Sequence, residues 1–323
     1  MPDPEMTRRQ SRALQRPSRR REIVRSLTTG VGVTLAIGFV VASAIYLTQP
    51  STSIAGASSS EPSEAPAAVA PKPAAPVSKP AAGEPFAVAE PVPLPTREDG
   101  SPLRVLVLGD SVAGNMYQAL RDFRTADLVP RSISYGGCGL FDAEKARAGN
   151  GWTMDSKKSC WGWRDKLGAI EADARPDVIV VHNKWDVEDQ FYQGAWISPC
   201  QPTWTARYRA QLGLLVDTTA QFENPPLILM SNDRPRSWSP TVTPERLKCK
   251  TDVESELFAA HSRVRPLDLD EAVCPGGECA TKTSTGAAIY RVDRVHFTAE
   301  AMQLMAPWIE ANIAAAYPSR SPA

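Results

Sequence analysis

The chain has 323 residues, no formal net charge and six cysteines, and 42% of its residues are hydrophobic. This length allows one or two domains, and a chain without a basic excess does not have the composition of a nucleic-acid-binding protein. The hydrophobic share is slightly below that of a fully globular chain, which indicates a sizeable polar or low-complexity segment.

The first predicted element is a membrane-spanning helix that follows a basic tail. Eight arginines and three acidic residues give residues 1–26 a net charge of +5, and residues 27–48 carry no charged side chain. A spanning helix needs about 20 apolar residues, and cationic residues before the span place the N-terminus in the cytoplasm. We therefore expect a basic cytoplasmic tail over 1–26 and a transmembrane helix over 27–48. The alternative is a cleaved signal peptide with an A-x-A-like site near 42–44, which would leave the rest of the chain equally outside the cytoplasm.

A low-complexity segment follows over residues 49–100. It is rich in proline, alanine and serine and shows neither a helical nor a strand period. Such a composition cannot bury a core, so the segment is predicted to be a disordered linker.

Residues 101–319 have the composition of one globular domain of the α/β class. Continuous apolar runs predict buried strands, two weaker runs predict further strands, and amphipathic stretches between them predict helices. This alternation is typical of a three-layer α/β/α sandwich with a mainly parallel sheet. The predicted strands are 103–110, 132–137, 176–183, 225–232 and 264–270, and the predicted helices lie near 113–124, 164–174, 205–221, 244–262 and 298–315.

All six cysteines fall within this domain. An even number of cysteines outside the cytoplasm indicates disulfides, and six allow 15 pairings. Proximity along the chain favours the pairs 138–160, 200–249 and 274–279, formed by Cys138, Cys160, Cys200, Cys249, Cys274 and Cys279. A zinc site is the weaker alternative, because no C-x-x-C or paired-histidine spacing is present, and we expect no metal and no cofactor.

The first sign of chemistry is Gly109-Asp110-Ser111 at the end of the first predicted strand. Ligands of parallel sheets bind beyond the carboxyl ends of the strands, so Ser111 is placed where a nucleophile is useful. Its backbone N–H at the start of a helix could also stabilise an oxyanion. Taken alone, the tripeptide is better explained as an ordinary turn and helix cap.

The second sign is Asp293-x-x-His296, which precedes the last predicted helix. A carboxylate three residues before an imidazole can hold one ring nitrogen and direct the other toward a serine. An Asp-x-x-His segment can also be a helix cap with a surface histidine. The joint occurrence of the two motifs, at the first strand and the last helix, favours one shared crevice.

With these motifs the sequence resembles the SGNH (GDSL-like) hydrolase superfamily over about residues 103–315. It is most similar to the SGNH domains attached to multi-spanning membrane O-acyltransferases. Further matching features are Gly137-Cys138 after the second strand, Trp185-Asp186 after the third, and the Cys274/Cys279 pair shortly before Asp293.

The resemblance implies roles for these residues. Ser111 would be the nucleophile, His296 the general base and Asp293 its orienting partner, with Gly137 donating a backbone N–H to the oxyanion hole. The family's Gly-x-Asn-Asp block is not present as such. Trp185 stands where its asparagine is expected, before Asp186, and Asn183 is a possible substitute two residues earlier. Losing one oxyanion donor typically costs a factor of about 10² to 10³ in rate.

The remaining histidines and several tryptophans have structural and functional interpretations. His182 ends a strand beside the crevice and His261 ends a predicted helix, and both are interpreted as structural. The tryptophans in loop-like stretches suit stacking on sugar rings and packing around disulfides equally well: Trp152, Trp161, Trp163, Trp196 and Trp204.

Together these features predict a membrane-anchored, extracytoplasmic serine esterase or O-acyltransferase that acts on cell-envelope carbohydrate through an acyl-serine. The expected partner is an acylated carbohydrate or glycan acceptor. A transferase would also need a separate multi-spanning acyltransferase or another extracytoplasmic acyl donor, because one span cannot carry acyl groups across a membrane. No nucleic acid is expected. The alternatives are a catalytically silent glycan-binding or scaffold module and, less favoured, a peptidase.

Overall fold

A computed structural model describes residues 84–88, 93–160, 163, 166–168, 175–232 and 239–317. The predicted tail 1–26, the predicted transmembrane helix 27–48, most of the predicted linker 49–100 and most of the predicted helix 164–174 lie outside these residues. No helix within the described ranges is long and apolar enough to cross a membrane.

Strands and helices alternate along the domain, as the sequence predicts. The first half contains β1 (Leu103–Gly109), α1 (Ser111–Phe123), β2 (Leu128–Ser134), β3 (Lys145–Arg147), β4 (Thr153–Asp155), α2 (Ser156–Ser159), β5 (Val178–His182) and a 3₁₀ turn (Lys184–Val187). The second half contains β6 (Asp189–Tyr192), β7 (Ala195–Ile197), α3 (Pro202–Ala220), β8 (Leu227–Ser231), α4 (Pro244–Ala260), β9 (Val264–Leu267), α5 (Leu269–Val273), a 3₁₀ turn (Pro275–Gly277) and α6 (Ala299–Ala316).

The main sheet of the described residues is parallel, in the order β2-β1-β5-β8-β9. Gly109, the last residue of β1, pairs with Ser134 on one side and His182 on the other. His182 in turn pairs with Ser231. The carboxyl ends of these strands therefore form one edge, and the residues that follow them meet there.

Helices cover both faces of this sheet. Alternate residues of β1 divide between two cores, with Val105 and Val107 facing α1 and α6, and Leu106 and Leu108 facing α3 and α4. Every residue of β5 and β8 is buried, which explains why their sequences are continuously apolar. The predicted α/β class with a mainly parallel sheet is thus confirmed, with three layers.

A second, antiparallel sheet in the order β4-β3-β6-β7 is an addition that the sequence did not predict. Its strands have three or four residues each and mix charged with apolar side chains, so no period is readable. The two weaker strand predictions have different bounds in the structure. The strand predicted over 132–137 is β2, which begins at Leu128, and the strand predicted over 264–270 is β9, which ends at Leu267.

The packed domain begins before residue 101, which corrects the predicted extent of the linker. Phe86 is 3% exposed and belongs to the core on the α1 and α6 face. Its ring makes edge contacts with Phe297 at 5.8 Å and Trp308 at 5.7 Å, and its N–H donates to the carbonyl of Ala272. A lone phenylalanine in a proline-rich stretch carries no periodic signal, so the sequence did not reveal this contact.

Candidate active site

The turn that presents Ser111 depends on Gly109. Gly109 has φ +139°, and a Cβ at this position would lie 1.8 Å from the carbonyl oxygen of His182. The N–H of Asp110 donates to that same oxygen at 3.1 Å. Glycine is therefore needed here because the backbone of β5 approaches too closely for any side chain.

Asp110 caps the helix that begins with Ser111. Its Oδ1 accepts from the N–H of Val112 at 2.8 Å and of Ala113 at 3.4 Å, as expected of an N-cap aspartate. Ser111 consequently occupies the first position of α1, at the positive end of the helix dipole. A negative charge that develops on a substrate oxygen beside this helix end is stabilised by the same dipole.

Asp293 and His296 form the pair that their spacing predicts. Asp293 Oδ2 lies 2.8 Å from His296 Nδ1, and Oδ1 accepts from the N–H groups of Val295 at 2.8 Å and His296 at 2.9 Å. Burial alone raises the pKa of Asp293, but the hydrogen bonds from His296 and Val295 outweigh it and lower this pKa to about 2. The carboxylate therefore stays ionised and holds Nδ1, which leaves Nε2 for acid–base chemistry.

This pairing leads to a titration experiment. In His296→Ala the largest hydrogen bond to the Asp293 carboxylate is absent, so the pKa of Asp293 is expected to rise from about 2 toward its ordinary value of 3.8. The carboxyl carbon shift of Asp293, followed by NMR against pH, measures the change. Asp122, whose pKa is lowered by its hydrogen bond to Arg121, is the internal control and should not move. An unchanged Asp293 midpoint would contradict the pairing.

A buried asparagine connects the Asp293–His296 loop to the helix that begins with Ser111. Asn115 is 4% exposed, and its Oδ1 accepts from the N–H of Phe297 at 3.1 Å. The loop is closed on its other side by the N–H of Arg291, which donates to the carbonyl of His296 at 2.8 Å. Sequence reasoning missed Asn115, although its position four residues after Ser111 places both on one face of the helix.

Ser111 and the loop of His296 border one crevice. The crevice is lined by Asp110, Ser111, Val112, Lys184, Trp185, Glu188 and Val295. Val295 belongs to the Asp293–His296 loop, so the first strand and the last helix contribute to the same site. Trp185 is where the sequence placed it, whereas Lys184 and Glu188 were not predicted to be there.

Glu188 is an acidic group buried in the wall of this crevice. It is 1% exposed, and its carboxylate accepts from the hydroxyls of Ser239 and Thr241. Burial raises the pKa of Glu188, and these hydrogen bonds oppose the rise without cancelling it. No sequence motif indicates Glu188, because the hydroxyls that bind it lie about 50 residues further along the chain.

The turn after β2 carries Gly137. Its φ of +76° favours glycine, and a Cβ there would lie 2.9 Å from Met154 Sδ and 3.4 Å from the ring of Trp152. The disulfide between Cys138 and Cys160 fixes the next residue of this turn. The assignment of the Gly137 N–H to the oxyanion hole stays a prediction.

Asn183 and Asp186 face the core rather than the crevice, which corrects their predicted place. Asn183 is fully buried, and its Nδ2 donates to Asp186 at 3.0 Å and to the Tyr208 hydroxyl at 2.7 Å. Asp186 is 1% exposed and accepts from the backbone N–H groups of Leu140 and Phe141, each at 2.9 Å. Asn183 therefore does not replace the missing oxyanion asparagine, and Asp186 positions the loop that follows Gly137.

Asp186→Ala is expected to lower the free energy of unfolding by about 2–3 kcal/mol, because two buried backbone donors lose their acceptor. Part of the loss is offset because burial raises the pKa of Asp186 to about 6, so its ionised form is costly in the fold. Urea unfolding at neutral pH measures the change. Asp252→Ala, which breaks an exposed pair with Lys248, is the control and should change stability by less than about 0.5 kcal/mol. Equal effects of the two substitutions would contradict the role of Asp186.

His182 lies beneath the site and has structural contacts. It is 1% exposed, its Nδ1 lies 2.6 Å from the Ser231 hydroxyl, and its Nε2 lies 3.9 Å from Asp110 Oδ2. It joins the ends of β5 and β8 to the cap of α1. His261 ends α4, as its structural interpretation requires.

The three predicted disulfides are confirmed: Cys138–Cys160, Cys200–Cys249 and Cys274–Cys279. All six cysteines are engaged, so none remains as a thiolate ligand for a metal. Three disulfides in one domain are typical of an oxidising compartment.

Residues 81–311 match a family model described as "SGNH domain (fused to AT3 domains)". This match covers more than half of the chain. No curated protein matches the sequence.

Several solved structures resemble the fold at low identity. A lipase/acylhydrolase from Enterococcus faecalis has 15% identity and a TM-score of 0.40, and the match covers 65% of this chain and 95% of that one. A family two carbohydrate esterase from Clostridium thermocellum, in complex with cellohexaose, has 15% identity and a TM-score of 0.42 over 70% and 66% of the two chains. A GDSL-like lipase from Bacteroides thetaiotaomicron has 13% identity and a TM-score of 0.38 over 65% and 87%. These likenesses are too distant to carry an argument about chemistry.

Proposed function

The chain belongs to the family of SGNH domains that occur fused to AT3 domains, and from this premise we propose that it is a serine-dependent O-acyl esterase or O-acyltransferase. The observation that carries the proposal is the shared crevice. Ser111 at the first turn of α1 and Val295 of the Asp293–His296 loop line it together. A hydroxyl, an imidazole and a carboxylate in this order are the parts of a nucleophilic triad.

The proposed reaction has two acyl-transfer steps. In the first, Ser111 Oγ attacks the ester carbonyl while its proton passes to His296 Nε2. The tetrahedral oxyanion collapses, the alcohol leaves with that proton, and an acyl-serine remains. In the second, His296 takes a proton from water or an acceptor hydroxyl, whose oxygen attacks the acyl-serine. The tetrahedral oxyanion collapses, the bond to Ser111 Oγ breaks, and His296 returns the proton to that oxygen as the acid or the new ester leaves. Asp293 keeps the imidazole oriented through Nδ1 and stabilises its charged form.

The acceptor in this proposal is carbohydrate of the cell envelope, and the domain works outside the cytoplasm. Three disulfides support the compartment, and the charge-free stretch 27–48 supports a membrane anchor. The family description, which names fusion to AT3 domains, supports an acyl-transfer partner. Because the anchor is one span, a separate multi-spanning acyltransferase would supply acyl groups from the inner face.

A second candidate is a glycan-binding or scaffold module that has kept the fold but lost catalysis. The observation that favours it is the orientation of Asn183, whose amide nitrogen serves the core and leaves the oxyanion site without the family's asparagine. In the esterase proposal the remaining donors are backbone N–H groups at the start of α1 and at Gly137.

A fluorophosphonate probe separates these two functions in the full chain. An activated Ser111 is expected to be labelled, and Ser111→Ala should remove the label. His296→Ala should slow labelling strongly, because the serine then has no base. A folded wild-type protein that takes no label would overturn the esterase proposal in favour of the module. Released acyl product, compared with and without added sugar acceptors, then distinguishes hydrolysis from transfer.

A further inference from the structure

Trp152 is an exposed aromatic side chain next to the crevice. Half of its surface, 50%, is open to solvent, whereas Trp204, Trp308 and Trp163 among the described residues are at most 8% exposed. An indole that is left half in water forgoes a large part of the stabilisation that its burial could give. Trp152 is the most exposed of the described tryptophans, and its indole is accessible to a ligand.

The turn that carries Trp152 is firmly held. Its N–H donates to Asn150 Oδ1 at 2.9 Å, and its carbonyl accepts from the N–H of Ala148, also at 2.9 Å. Gly151 supplies a φ of +85° between them. The turn also packs closely on Thr241, since a Cβ on Gly149 would lie 2.7 Å from the Thr241 nitrogen. The backbone that carries the indole is thus fixed before any ligand binds, so binding would not have to order this turn.

The ring lies between the crevice and the turn of Gly137. Its centroid is 5.4 Å from that of Trp185 in an edge-on contact, and Trp185 lines the crevice with Ser111. Its edge also approaches the position of a Cβ on Gly137, at 3.4 Å. Trp152 and Trp185 therefore form one aromatic wall, which extends from the site of chemistry to the solvent.

Two charged residues line the crevice together with Trp185. Lys184 and Glu188 line the same crevice and are 6% and 1% exposed. A carboxylate has about four acceptor sites, and two hydroxyls of the protein bind that of Glu188, so it can accept more hydrogen bonds. Lys184 and Glu188 thus add charged residues to the crevice that Trp185 lines.

We propose that Trp152, with Trp185, Lys184 and Glu188, forms a subsite for the pyranose ring of the acylated or acceptor sugar. The inference rests on the proposed esterase or transferase function and names its substrate subsite. The C–H face of a pyranose covers an indole, and its hydroxyls need charged or polar partners at the ring edge.

The test compares two acetate esters that share an acyl group, with the full chain as enzyme. Ethyl acetate carries no ring, and methyl 6-O-acetyl-glucopyranoside presents a pyranose. Trp152→Ala is expected to raise KM for the glucopyranoside about tenfold or more with little change in kcat, while leaving ethyl acetate kinetics unchanged. Trp152→Phe keeps a ring face and should restore most of the affinity. Trp196→Ala is the matched control, because Trp196 packs against Phe191 in the small sheet, at 5.3 Å.

Binding without turnover gives an independent measurement. Calorimetry on Ser111→Ala is expected to show binding of the acetylated glucopyranoside, weakened about tenfold or more in Ser111→Ala/Trp152→Ala. No binding to Ser111→Ala, or equal binding by both proteins, overturns the subsite. Equal losses on both esters in Trp152→Ala overturn it as well, since they indicate a structural role. If ethyl acetate turnover depends on Ser111 but Trp152→Ala affects neither ester, the subsite is refuted and the esterase proposal stands. If neither ester is turned over in a Ser111-dependent way, the esterase proposal is refuted, and the calorimetry still tests the subsite.

Discussion

Ser111→Ala is expected to lower the enzyme-dependent turnover of p-nitrophenyl acetate by about 10⁴-fold or more, because no acyl-serine can form. His296→Ala is expected to have a loss of similar size, since the serine hydroxyl is a weak nucleophile without a base. The double variant should be no worse than either single variant, because the two residues act as a unit. The rate of p-nitrophenol release above the buffer rate measures all three effects.

Ser132→Ala and His261→Ala are the matched controls for these substitutions. Ser132 lies on β2 and shares a hydrogen bond with Ser134, and His261 ends α4, so neither contacts the crevice. Both should keep wild-type turnover. Turnover that persists in Ser111→Ala at the wild-type rate would place the chemistry elsewhere and refute the assigned nucleophile.

Cys200→Ala/Cys249→Ala is expected to lower the free energy of unfolding by about 4 kcal/mol. This disulfide joins the residues just before α3 to α4 and spans 49 residues of sequence, the longest of the three separations. A longer closed loop restricts the unfolded chain more, so its loss frees more conformational entropy. Urea unfolding of the oxidised proteins measures the difference.

Cys274→Ala/Cys279→Ala provides the comparison for this prediction. Its two cysteines are separated by only 5 residues, so the expected loss is about 2 kcal/mol. The pair 138–160, with a separation of 22, should fall between them at roughly 3 kcal/mol. A reversed order of the three losses would show that packing around the sulfurs, rather than loop length, controls their contribution.

Much of the fold followed from patterns that are local in sequence. The strands around Val107, Val180 and Leu229 are buried on both faces, and continuous apolar runs report this directly. The Asp293–His296 pair was also predictable from the sequence, because a spacing of three positions within one turn brings the two side chains together. The disulfide pairs followed from proximity along the chain.

The features that were not predicted depend on the orientation of side chains and on contacts between residues far apart in sequence. Asn183 was a reasonable oxyanion candidate by position, but its side chain turns toward Tyr208, 25 residues away in α3. Glu188 is held in the crevice wall by hydrogen bonds from the hydroxyls of Ser239 and Thr241, which lie far along the chain. The strands of the small sheet pair residues such as Ala146 and Gln190, whose segments have no strand period of their own. Sequence spacing does not specify any of these contacts.

If the chain is anchored as the sequence predicts, the buried position of Phe86 limits how far the domain can work from the membrane. If residues 27–48 span the bilayer, the tether runs from residue 49 to residue 83 and not to residue 100. At about 3.1 Å per residue in polyproline geometry, its greatest reach falls from roughly 160 Å to roughly 110 Å. Because Phe86 packs on Phe297, the neighbour of His296, tension in the tether would be applied one contact away from the proposed base. The working radius of the enzyme and the mechanical load on its active site would thus be set by the same aromatic anchor.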